Sequence, residues 1–127
     1  MNDTTTTSKT RTITLTDRPP VKIKEDEWPI IAVGSERPGS FVNGTPVPDY
    51  ETDHYQLRVR RHEDGRAIVY GVIDAATVWT STQDWRGGEL LAAGADIAAS
   101  IRRVGESGAI IDSVIRECIG NLPAEEL

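Results

Sequence analysis

The chain has little of what identifies an enzyme, a secreted module or a membrane protein. It has one cysteine, Cys118, so no disulfide can form within it, which suits a reducing compartment. No apolar run approaches the roughly 20 residues that a spanning helix needs. The first residues hold no positively charged segment followed by an apolar run, which is the pattern of a secretory signal. A cytoplasmic protein without a membrane is the expectation. Motifs with a mechanism are missing as well. The two histidines, His54 and His62, make no zinc spacing with the one cysteine. There is no Gly-x-Ser-x-Gly elbow, no P-loop and no Gly-x-Gly-x-x-Gly. Asp49, Glu51 and Asp53 alternate and could offer oxygens to a hard cation, but they carry no glycine-bearing calcium-loop pattern and read as a solvated acidic loop. The expectation is therefore no cofactor, no metal and no enzymatic activity. Basic charge is also in deficit. A formal net charge of -6 counts against non-specific binding to nucleic acid or anionic lipid, both polyanions.

What is present is enough for one modest core. At 127 residues, 38% hydrophobic and 27% charged, the chain has the length and balance of a single globular domain. Residues 1–11 are polar, with consecutive threonines, and read as a disordered tail before a domain over 12–127. Thr12–Thr16 and Val21–Lys24 read as short extended segments. Trp28–Val33 reads as a strand, with Pro29 near its start where a missing N–H matters least. Gly34–Asp53, rich in glycine and proline, reads as a long loop.

Tyr55–Trp79 reads as a β-hairpin. Tyr55–His62 alternates apolar and polar residues, Arg66–Ile73 is rich in β-branched and aromatic ones, and Glu63-Asp64-Gly65 between them is a three-residue loop whose glycine can take positive φ. That turn sets the register: Val59 faces Val69, Leu57 faces Gly71 and Tyr55 faces Ile73 on an apolar side. Gln56 with Val72, Arg58 with Tyr70 and Arg60 with Ile68 form the other side.

Beyond the hairpin, Val78 and Trp79 could extend its second strand, and Ser81–Trp85 reads as a loop. Gly87-Gly88 reads as the entry to a helix over Glu89–Val104 with a stripe of Leu90, Leu91, Ile97, Ala98, Ile101 and Val104, ended by Gly105. A second helix spans about Gly108–Ile119, capped by Ser107, burying Ile110, Ile111, Val114, Ile115 and Cys118. Strands first and helices last predict an α+β fold: an antiparallel sheet of three to four strands with two C-terminal helices packed on one face.

Two surfaces emerge as candidates. Arg58, Arg60 and Tyr70 on the hairpin's second side have the composition of a protein-interface hot spot or of a single-strand nucleic-acid platform. Arginine stems covering aliphatic neighbours would look the same. Glu25, Asp26, Glu27 and Trp28 form an acidic turn that could enter an arginine-rich groove as a nucleic-acid backbone would. Trp28, Trp79 and Trp85 could anchor a partner or close the open end of the core.

Three stretches, Arg18–Ala32, Val59–Val72 and Arg86–Ile97, together resemble small accessory proteins carried on proteobacterial plasmids and prophages, over about two thirds of the chain. The resemblance implies a protein that binds host machinery, anti-CRISPR inhibitors being one such group, and carries no residue roles with it. The leading expectation is a non-enzymatic protein-binding domain from a mobile genetic element that inhibits a host protein or ribonucleoprotein complex by surface occupation or charge mimicry. A nucleic-acid-binding accessory protein using the basic hairpin side is the alternative. A small enzyme without a recognisable motif is a third reading, and a homodimer is open.

Overall fold

The computed structural model describes residues 9–36, 41–42, 45–46, 54–76, 81–106 and 108–124. Its elements are β1 (Thr10–Ile13), β2 (Val21–Lys24), β3 (Ile30–Glu36), β4 (Phe41–Val42), β5 (Thr45–Pro46), β6 (His54–Arg61), β7 (Ala67–Ala76), β8 (Ser81–Leu91), α1 (Ile97–Val104) and α2 (Gly108–Asn121). This is an α+β fold. β3-β6-β7-β8 form a four-stranded antiparallel sheet, β1 pairs β2, and the short β4 pairs β5 within the expected long loop.

The β6–β7 hairpin has the register its turn dictates. Leu57 pairs Gly71, Arg58 pairs Tyr70, Val59 pairs Val69 and Arg60 pairs Ile68. Gly65 sits at φ 98, a conformation that side chains with a Cβ resist. The His62 N–H donates to the Arg66 carbonyl at 2.9 Å, and the Asp64 carboxylate accepts from the Arg66 backbone N–H at 2.9 Å. Three local devices therefore fix one turn.

One side of the sheet carries both helices, as the apolar pairs require. Ala32, Leu57, Val59, Val69 and Leu91 meet Ile101, Ile110, Val114 and Cys118 in one buried cluster. The sheet's other side is also covered. The β1–β2 hairpin and the turn after it lay Ile13, Leu15, Ile23 and Trp28 on Ile68 and Tyr70. The sheet is thus the middle layer of three, and β7 is buried on both faces between residues 67 and 72.

Three expectations are corrected. First, Thr10 and Arg11 belong to β1, paired with Lys24 and Ile23, because the β2 ladder gives their backbone groups partners. Residues 1–8 of the expected tail lie outside the described residues, as do the extension at Val78 and Trp79 and the loop acids Asp49, Glu51 and Asp53.

Second, Ser81–Leu91 is neither loop nor helix entry but a strand running beside β7 from Ala76↔Ser81 to Ala67↔Leu91. Leu90 and Leu91, adjacent on a helical stripe, instead point to opposite layers, each into a different cluster. The gain is a partner for the otherwise open edge of β7, which outweighs local helix preference. Gly87 and Gly88 serve the strand. A register shift lies between Gly71 and Val72, Gly87 has φ 103, and a Cβ on Gly88 would collide with the Val69 carbonyl and the Tyr70 Cβ. The helix is left with Ile97–Val104. Asp96 caps it, its Oδ1 accepting the Ala99 N–H at 3.1 Å.

Third, Arg60, Tyr70 and Trp28 are not surface residues. They are 4%, 0% and 6% exposed. The layer made by β1, β2 and the turn after them covers Arg60 and Tyr70, and Trp28 is itself part of that layer, turned inward. The segments that form this layer were legible as extended; that they fold over the hairpin was not. Gly105 does follow α1, but at φ -68; a Cβ there would collide with Ile111 at the approach of α2.

Candidate functional site: an acidic turn held by a buried arginine

Arg60 points from the central sheet into the β1–β2 layer. Its Nε donates to the Tyr70 hydroxyl at 2.9 Å, Nη1 to the Trp28 carbonyl at 2.9 Å, and Nη2 lies 3.4 Å from Glu25 Oε1. A guanidinium can do this because its donors are fixed in one plane and fan out to separate acceptors. Taking the charge out of water costs several kcal/mol, which the carboxylate and the two neutral acceptors offset.

Glu25 is shared. It also accepts from Arg11 Nε of β1 at 2.9 Å. That hydrogen bond, helped by the charges of Arg11, Arg60 and Lys9, holds its carboxyl below the usual glutamate range against the opposing pull of desolvation. The turn from Glu25 to Trp28 is then closed by the Glu27 N–H on the Lys24 carbonyl at 3.0 Å and the Trp28 N–H on the Glu25 carbonyl at 3.3 Å. The Trp28 ring lies 5.0 Å from the His62 ring and 5.0 Å from the Arg66 guanidinium. The acidic turn is therefore tied to β1, to the sheet and to the β6–β7 turn at once.

Two members of the acidic run stay outside. Asp26 and Glu27 are exposed. With Pro29, Ile31, Arg61, His62, Glu63, Asn121 and Pro123 they line a groove of about 490 Å³. Among the described residues that line it, Asp26, Glu27 and Glu63 outnumber the one permanent cation, Arg61, so this lining carries net negative charge.

The sequence-expected residues thus divide in an order the sequence did not show. Glu25, Trp28, Arg60 and Tyr70 form one network, with Asp26 and Glu27 displayed upon it. Arg58 approaches this network at Tyr70, its guanidinium 6.0 Å from the ring centre, while its Nε donates to Gln56 Oε1 at 2.9 Å. Glu63, Asn121 and Pro123 were not foreseen as part of the site; they come from the hairpin turn and the end of α2, which only folding brings to the acidic turn. Glu63 was the one with a signal, as an acid at the tip of a legible turn.

Elsewhere, Cys118 is buried and free, and burial pushes its thiol up, which keeps it protonated and unreactive. Among the described residues no three His, Cys, Asp or Glu side chains converge to hold a metal ion, and no helix is long and apolar enough to cross a membrane.

No protein-family model, no curated protein and no solved structure matches the chain.

Proposed function

We propose that this chain is a non-enzymatic protein-binding domain that presents Asp26 and Glu27 to a basic surface of its partner. The observation that carries the reading is the contrast within one turn. Glu25 and Trp28 are spent on holding it, while Asp26 and Glu27 between them are exposed. A turn fixed before contact loses little entropy on binding, so its charges act as a template. The net charge of -6 supports the same direction by steering the whole molecule toward a cationic site. The resemblance to accessory proteins of mobile elements makes a host defence complex, whose arginine-rich grooves bind nucleic acid, the partner class of choice; occupation of such a groove would inhibit it.

The nucleic-acid alternative loses part of its support. Of its platform of Arg58, Arg60 and Tyr70, Arg60 and Tyr70 are buried at 4% and 0% exposed, while Arg58 is half-buried.

The test pairs the wild type with the double variant Asp26→Lys, Glu27→Lys in affinity capture from nuclease-treated bacterial lysate. A stoichiometric protein partner retained by the wild type and lost by the variant, with the melting temperature unchanged, is the expected result. Equal capture by both overturns the role of the turn. Recovery only when nucleic acid is left intact overturns the protein-binding reading.

A further inference from the structure

β3 is an outer strand of the four-stranded sheet, and its free edge is closed in an unusual way. The Val33 N–H donates to Glu117 Oε1 at 2.7 Å, and Asn121 Nδ2 donates to the Ile31 carbonyl at 2.7 Å. Both partners are side chains of α2. One is an acceptor and one a donor, which is what a neighbouring strand would offer to these backbone groups. The spacing explains why a helix can do this. Residues four apart on a helix rise about 6 Å, and residues two apart on a strand rise about 6.7 Å, so Glu117 and Asn121 match Val33 and Ile31.

The opposite outer strand, β8, is closed by the chain itself. The Thr16 N–H donates to the Gly88 carbonyl at 2.9 Å, and the Gly88 N–H donates to Thr16 Oγ1 at 3.1 Å. On β3, among the described residues, the two partners are both side chains, and the strand carries two exposed apolar residues, Ile30 at 44% and Val33 at 45%. An open edge with apolar side chains beside it is a template for strand pairing.

We infer that the C-terminal half of α2 is an edge guard: Glu117 and Asn121 occupy the place of a strand on β3 and so keep a second copy of this chain from pairing there. A second copy is the fitting occupant because antiparallel pairing about a two-fold axis at Val33 sets the same donor and acceptor of each strand against those of its twin. The inference stands independently of the proposed partner-binding role.

The experiment is sedimentation of the wild type and of the variant Glu117→Ala, Asn121→Ala. Alanine retains helix preference, so α2 should persist by circular dichroism. The wild type is expected to be a monomer and the double variant to associate reversibly with rising concentration. Adding Val33→Lys to that variant should restore the monomer, since a lysine on an edge blocks pairing without touching the core. A double variant that stays monomeric, a Val33→Lys addition that fails to reverse association, or a wild type already paired through β3 each overturns the inference. Amide exchange supplies an arm that needs only the single variant Glu117→Ala. The Val33 amide should exchange faster by about tenfold or more, the factor that a hydrogen bond to a charged acceptor supplies. An unchanged rate overturns the guard role.

Discussion

Arg60 shows how one side chain can look like surface and act as a frame. In the sequence it stands with Arg58 and Arg61 in a strand that alternates, and arginine is among the residues least often buried. In the fold it is 4% exposed and its donors reach three acceptors, one on β7 and two on the acidic turn. Replacing it with alanine should orphan the Tyr70 hydroxyl and the Trp28 carbonyl and remove a cation beside Glu25. The expected cost is about 3 kcal/mol, read as a lower urea midpoint. Arg60→Lys should recover less than half of it, because a point charge cannot serve three separated acceptors. If both variants match the wild type in stability, the frame is not held by Arg60. Glu89 is a second case. Expected in the first turn of a helix, it lies in β8 and accepts from the buried Ser100 hydroxyl at 2.7 Å and from Arg103 at 2.8 Å. It still serves α1, from outside rather than within.

At the scale of elements, glycine sets the distances. Gly34 faces α2, and a Cβ there would lie 2.7 Å from Val114 Cγ2 and 3.0 Å from Ile110 Cγ2. Gly34→Ala should therefore destabilise by about 1–3 kcal/mol through overpacking. Val114→Ala alone leaves a cavity and also destabilises. Together they should cost less than the sum, since the new methyl enters space the valine vacates; a double-mutant cycle by chemical unfolding measures this coupling. Strict additivity would mean that the helix and strand are not in contact at Gly34. The legibility of elements followed the range of the forces that fix them. The β6–β7 hairpin was readable to the residue because its turn and its alternation are local. α2 was readable from its apolar stripe, with Ile110, Val114 and Cys118 buried as spaced. β8 was misread because its partner, β7, supplies the reason for it, and two adjacent leucines fit a helical stripe as well as a strand buried on both faces.

At the scale of the molecule, the sheet is covered on both sides, so the two outer layers are held by one common plane. Ile13 in the β1–β2 layer and Ile101 in the helical layer are both fully buried, on opposite faces. Ile13→Ala and Ile101→Ala should each cost about 2–5 kcal/mol. Their effects should add, and each should lower a single transition seen alike by circular dichroism and tryptophan fluorescence. Separate transitions would show that the β1–β2 layer opens by itself, and the acidic turn it carries would then not be preorganised. The candidate site depends on this point, since Glu25 to Trp28 belong to one outer layer and are fixed by the middle one.

The sequence by itself determined the α+β order of elements, the hairpin and its register, the second helix, and the presence of an acidic turn beside a tryptophan. Each of these rests on period, turn chemistry or local charge, which act over a few residues. Tertiary structure alone decided that β1 and β2 cover the basic side of the hairpin, that Arg60 serves the acidic turn instead of a partner, that 81–91 is a strand, and that α2 closes the edge of β3. Those outcomes depend on contacts between residues up to ninety positions apart, as Asn121 is from Ile31. Nothing in a local pattern states which distant surface will bury it.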